Sequence, residues 1–213
     1  MASLASGPVV VAMLCGKDQS ALAGPRAGFG RVAPLLDGPT ARSWGRLEKL
    51  AMAVVQEGGC LCGDIRYQTS APPVRVTICH CRFCQRFTGS AFLVEPIFRQ
   101  QDVAFYGASP QRYAHRSDSS GKRVTLNFCA RCATTLCLEL ERFPDILGMC
   151  GGTFDDPNWF DRRQCRHIFT RSAQTGIMLP AGVELYEEHA LSLDGTPRTP
   201  TVLAHALLVA RPG

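Results

Sequence analysis

The sequence has no run approaching the ~18 consecutive apolar residues of a membrane-spanning helix, no internal repeat at a solenoid period and little helical periodicity. A helical membrane protein, a repeat array and a helix bundle are thereby excluded. Charge of one sign is also scarce, with 23 Lys and Arg against 18 Asp and Glu in 213 residues, a net +5. Within the first 50 residues Lys17, Arg26, Arg31, Arg42, Arg46 and Lys49 face only Asp18, Asp37 and Glu48, so +3 of that excess lies there. The remainder is nearly balanced, too weak a charge for a nucleic-acid surface. The apolar run Val9–Leu14 has neither a basic segment before it nor a cleavage site after it, so no secretory signal is expected and the chain reads as cytoplasmic. Hydrophobic residues make up 46%, enough to build a core.

Cysteine, by contrast, is plentiful. Without an export signal, eleven cysteines point to metal rather than to a disulfide scaffold. Seven fall in three tight groups: Cys60-Leu61-Cys62, Cys79-His80-Cys81-Arg82-Phe83-Cys84 and Cys129-Ala130-Arg131-Cys132. Such short gaps let neighbouring thiolates fold back on one ion. Cys15, Cys137, Cys150 and Cys165 stand singly and read as small buried hydrophobes. His80 lies between two candidate ligands, but in an extended segment its side chain points away from those of Cys79 and Cys81.

Between these groups the sequence reads as short strands. Segments 65–69, 74–78, 91–98, 103–106, 123–128, 134–140 and 166–171 are rich in Val, Ile, Thr, Phe and Tyr. They are broken by Pro72-Pro73, Gly107, Gly121, Gly151-Gly152 and Asp155-Asp156-Pro157, an all-β pattern. A helical turn is expected at Arg82–Phe87, and a short helix in the apolar tail Val202–Val209 that would pack on the sheet. Residues 1–50 are rich in Gly, Ala, Pro and Arg without a period, and the segment 1–53 reads as a flexible extension, in part an over-extended reading frame that begins upstream of a natural start at Met52, with a transit peptide as the less favoured reading.

Seven thiolates make one closed four-cysteine site and leave a second with three. Structural zinc is usually saturated by protein ligands, whereas reactive zinc keeps one position open, so the shortfall points to a reactive centre. Spacing alone leaves the partition open. The middle group can supply the three ligands while the flanking pairs close the other site, or Cys60 and Cys62 can join part of the middle group.

The blocks Gly58-Gly59-Cys60-Leu61-Cys62-Gly63-Asp64-Ile65-Arg66-Tyr67, Cys79-His80-Cys81-Arg82-Phe83-Cys84, Thr88-Gly89-Ser90-Ala91-Phe92, Phe128-Cys129-Ala130-Arg131-Cys132, Gly152-Thr153-Phe154-Asp155-Asp156-Pro157 and His167-Ile168-Phe169 resemble the glutathione-dependent formaldehyde-activating enzyme and centromere protein V family. The resemblance implies a mainly β, Mss4-like antiparallel fold stapled by zinc over residues 54–190, with 191–213 as a C-terminal tail. It implies two Zn²⁺ ions: one structural, on Cys60, Cys62, Cys129 and Cys132, and one with an open position, on Cys79, Cys81 and Cys84. Two departures stand out. Cys132-Ala133-Thr134 replaces a usual Gly after the ligand, at a cost in access to positive φ, and the loop Ser172-Ala173-Gln174-Thr175-Gly176 lacks the family's Lys and Trp, which puts glutathione itself in question.

The chemistry follows from the ligand set. Three thiolates on Zn²⁺ leave a net charge near −1, a weak Lewis acid poorly suited to making hydroxide. Such a centre favours an incoming thiol as its thiolate, which attacks a small aldehyde; the reverse reaction is carbon–sulfur cleavage. The resemblance implies this reaction, the formation of S-(hydroxymethyl)glutathione. Arg82 and Arg86 are candidates to hold carboxylates of an anionic thiol. Gly89 and Ser90 are candidate donors near the metal, while Asp155-Asp156-Pro157 reads first as a turn. The partners expected are a small thiol and an aldehyde, with a non-catalytic zinc-stapled binding module as the competing class.

Overall fold

The computed structural model describes residues 55–156 and 158–210; the expectations for residues 1–53, Cys15 and Pro157 lie outside them. Strand β1 (Glu57–Gly59) turns through the first cysteine pair into β2 (Ile65–Thr69), and β5 (Val103–Gly107) pairs on the other edge of β2, giving a three-stranded antiparallel sheet. Strand β2 alternates as a half-buried strand should: Ile65, Tyr67 and Thr69 point inward, Arg66 and Gln68 away from the core.

A second sheet has nine strands. These are β3 (Arg75–Cys79), β4 (Leu93–Arg99), β6 (Gln111–Arg116), β7 (Arg123–Phe128), β8 (Thr135–Leu140), β9 (Phe143–Met149), β10 (Arg166–Ile168), β12 (Glu184–Leu185) and β13 (Thr201–Val202), in the order β13-β12-β10-β3-β4-β9-β8-β7-β6. Its pairings are antiparallel except that β10 runs parallel to both β3 and β12. The remaining pair, β11 (Met178–Leu179) and β14 (Leu207–Leu208), is antiparallel. A single α-helix among the described residues, α1 (Arg82–Thr88), connects β3 to β4.

The apolar side chains form two cores. Ile65, Tyr67, Phe98, Leu136, Met149, Phe154 and Trp159 pack around Cys60 and Cys129. Leu93, Leu126, Leu138, Ile168 and Tyr186 pack around Cys79 and Cys84. Cys137, Cys150 and Cys165 are buried thiols, as their isolation in the sequence suggests. Burial pushes all three up, Cys137 to about 12 and Cys165 to about 11.

The tail corrects one expectation. Val202–Val209 forms no helix: Thr201–Val202 pairs with β12 and Leu207–Leu208 with β11, and Val202, Leu207 and Leu208 stay exposed. The apolar run satisfies its backbone by strand pairing, and its side chains do not cover the large sheet.

Candidate metal centres

The turn after β1 presents Cys60 and Cys62, and the turn between β7 and β8 presents Cys129 and Cys132. Both turns are closed by the backbone. Gly63 N–H donates to the Cys60 carbonyl at 3.0 Å, and Ala133 N–H to the Cys129 carbonyl at 2.9 Å. Ile65 N–H donates to Cys60 Sγ at 3.3 Å, and Leu61 N–H reaches Thr134 Oγ1 at 3.1 Å, tying one turn to the other. The four sulfurs lie within 4.8 Å of one another, with Cys60 to Cys62 at 3.5 Å and Cys62 to Cys129 at 3.7 Å. Metal–sulfur bonds of about 2.3 Å at tetrahedral angles set sulfurs about 3.8 Å apart, so the arrangement fits a closed four-thiolate ion. Beside it, the Thr134 hydroxyl, 3.2 Å from Cys132 Sγ, helps draw that thiol down to about 5.

The second centre is local. Cys79 ends β3, Cys81 caps the N-terminus of α1 by accepting the Cys84 N–H at 3.4 Å, and Cys84 lies in the helix's first turn. Their sulfurs also gather within 4.8 Å. Hydrogen bonds from Cys79 and then Cys84 pull Cys81 down to about 3, while that same bonding and burial push Cys79 and Cys84 up. Three thiols this close ionise together only around a cation, so the donor set fits a metal ion with three protein ligands. His80 is not among the clustered donors. Its buried ring stacks on His167, with Nε2 2.9 Å from His167 Nδ1, and meets Phe92 edge-on.

A cavity of about 490 Å³ opens on the three-cysteine centre, lined by Cys79, Cys81 and Cys84 together with Thr77, Phe83 and Ile168. Eight lining residues are Arg or Lys and three are Asp or Glu, so the space attracts anions. None of the four cysteines of the closed centre lines it.

Arg82 reaches the cavity wall; Arg86, Gly89 and Ser90 do not. Arg82 donates to Gln85 Oε1, and Arg86 is exposed in the last turn of α1. Gly89 adopts φ +62° as the left-handed cap ending that helix. Ser90 is exposed, its N–H donating to Thr88 Oγ1. Asp155 pairs with Arg66 on the surface, and Asp156 accepts from Asn158 N–H at 2.8 Å.

Among the charged cavity residues that sequence reasoning missed are Glu95 on β4, Arg75 on β3 and Arg166 on β10. Glu95 had a signal, a lone acid inside an apolar strand. The two arginines had none, because their meeting depends on the parallel register that sets Arg166 opposite Thr77.

A family model described as "Glutathione-dependent formaldehyde-activating enzyme" matches residues 55–172, just over half of the chain. A curated protein of Halomonas elongata, provisionally named a glutathione-dependent formaldehyde-activating enzyme, is 25% identical over 97 residues, covering 43% of this chain. The alignment spans 60% of that relative's length. A crystal structure of a Rhodobacter sphaeroides protein aligns over 50% of this chain and 92% of its own, at 16% identity and a TM-score of 0.39.

Proposed function

The chain belongs to the glutathione-dependent formaldehyde-activating enzyme family, and from that membership we propose a zinc-dependent enzyme that joins a small thiol to formaldehyde or a similar aldehyde, or reverses that addition. In the forward direction a sulfur–carbon bond forms, the carbonyl π bond opens, and the thiol proton ends on the former carbonyl oxygen. The observation that carries this reading is a set of three thiolate donors, one short of saturation, facing a basic cavity.

Zinc on Cys79, Cys81 and Cys84 would supply a position where a thiol sulfur is held and loss of its proton is favoured. The chain's own residues do the rest. Arg75 and Arg166 present positive charge to the anionic part of the thiol inside the cavity, where low dielectric strengthens the attraction. Phe83, Leu138 and Ile168 line the same space and limit water beside the sulfur. The other four cysteines would hold a second zinc as a staple between two turns, with Cys60, Cys62, Cys129 and Cys132 as its ligands.

The test is calorimetric titration of small thiols into the zinc-loaded protein, followed by the rate of thiol addition to formaldehyde above the spontaneous rate, with Cys84→Ala as control. Binding and acceleration lost in Cys84→Ala are the expected results. An equal rate in the variant, or no thiol bound at millimolar concentration, would leave a non-catalytic zinc-stapled module in its place.

A further inference from the structure

Seven of the charged side chains lining the cavity have no ion-pair partner among the described residues, and three of them, Glu95, Arg75 and Arg166, come from the strands β4, β3 and β10 beside the three-cysteine centre. Arg166 donates Nε–H to Thr77 Oγ1 at 3.4 Å and lays its guanidinium over the Tyr186 ring, with no carboxylate partner, and Arg75 Nε is buried with no acceptor. Glu95 is only 7% exposed, yet its carboxylate accepts no hydrogen bond among the described residues. The other two cavity acids are differently placed, since Glu188 is clamped by Arg171 and Arg198 and Asp118 is exposed. A buried carboxylate without a donor is costly, and the fold makes room for this one. Gly148 on β9 faces it so closely that a Cβ there would stand 2.1 Å from Glu95 Oε1.

The sheet register places these groups relative to the sulfurs. Arg166, Thr77 and Glu95 form one row across β10, β3 and β4. Cys79 stands opposite Leu93, so it is the diagonal neighbour of Glu95 on the same face, with backbones about 7–8 Å apart. A ligand whose sulfur meets the three cysteines therefore has the Glu95 carboxylate on the diagonal and Arg166 in the same row as Glu95, with Arg75 two residues farther along β3 on the same cavity wall.

We infer that Glu95, seated in the notch left by Gly148, selects thiols bearing a free ammonium two carbons from the sulfur, while Arg75 and Arg166 take a carboxylate of the same molecule. The ligand class is an α-amino-acid thiol of the cysteine type. In glutathione the corresponding nitrogen is an amide, which forfeits the charge that Glu95 reads. This inference rests on the proposed entry of a thiol at the three-cysteine centre, and it assigns Glu95 to specificity rather than to bond making.

The experiment titrates the zinc-loaded full chain with cysteine, N-acetylcysteine and 3-mercaptopropionate, in wild type and in Glu95→Gln. A charge-assisted contact makes cysteine bind at least about tenfold more tightly than N-acetylcysteine in wild type. In Glu95→Gln that preference collapses and 3-mercaptopropionate, which has no ammonium, gains affinity. Equal affinities for cysteine and N-acetylcysteine in wild type, a comparison that requires no variant to fold, would overturn the inference while leaving thiol binding intact. A preference that survives unchanged in Glu95→Gln would overturn it equally. Failure of all three thiols to bind would overturn the thiol reading beneath it.

Discussion

Ala133 holds φ +59° immediately after Cys132, the position that Gly63 occupies with φ +79° immediately after Cys62. The two turns share a left-handed residue behind the second ligand, and only one of them uses glycine. An L side chain there costs about 1–2 kcal/mol, part of which is returned because alanine loses less chain entropy on folding. Ala133→Gly is therefore expected to raise the unfolding free energy by up to about 1 kcal/mol, read as a higher denaturant midpoint at constant slope. Glu95 is the other residue whose environment has a measurable consequence. Burial first, and then the Cys81 charge, push its carboxyl up to about 7. Because the unfolded chain ionises near the ordinary carboxylate value while the folded chain still holds its proton, the unfolded state binds fewer protons between about pH 4.5 and pH 7. Stability contributed through Glu95 falls as pH rises through that window and stays low above it. Glu95→Gln removes the penalty, so its stability relative to wild type should grow by on the order of 3 kcal/mol between pH 4.5 and pH 8. Chemical denaturation of both proteins at each pH measures the difference, in which effects common to both cancel. A flat difference would show that Glu95 ionises in the folded protein as it does in the unfolded chain.

Among the elements, the ligand sets differ in the chain they close. Cys62 and Cys129 are joined across 67 residues, linking the turn of the small sheet to the turn between β7 and β8, whereas Cys79 to Cys84 spans one strand end and one helical turn. Loss of the long-range staple should disturb the fold more, since closing a long loop removes more entropy from the unfolded chain and structural zinc binding is itself folding energy, about 10 kcal/mol in small peptides. Cys129→Ala is expected to be insoluble or to melt far below wild type, and Cys81→Ala to melt only modestly below it. The reverse order in a thermal melt would exchange the two roles. The same elements show what the sequence made legible. Ile65–Thr69 and Arg123–Phe128 emerge with the expected bounds because alternation and flanking turns agree. Strand β6 carries Gln-Arg-Tyr-Ala-His-Arg with no buried residue, so an edge strand of this kind has no apolar alternation to reveal it. Strand β9 contains Pro144 and Gly148, which locally argue against a strand. The expected strand at 166–171 stops at Ile168 because Phe169 turns left-handed at φ +57°. The cysteine groups were plain in the sequence; of the three cavity residues named beside them only Glu95 left a signal, since Arg75 and Arg166 meet it through strand register alone.

For the whole molecule, each of the two cores packs around one of the two cysteine centres, and a cavity of about 490 Å³ opens on the three-cysteine centre. Among the described residues no helix is long and apolar enough to cross a membrane. The proposed function depends on one difference: a saturated ion would hold the fold, and an unsaturated one would meet the thiol. X-ray absorption at the zinc edge measures that difference directly, because sulfur and lighter ligands lie at separate distances from the metal. With four and three cysteines on two ions, the zinc-loaded protein should average three and a half sulfurs per zinc. On addition of a bound thiol the average should rise to four, with loss of the light-atom contribution. An average that starts at four, or one that stays at three and a half when thiol is added, would contradict the account.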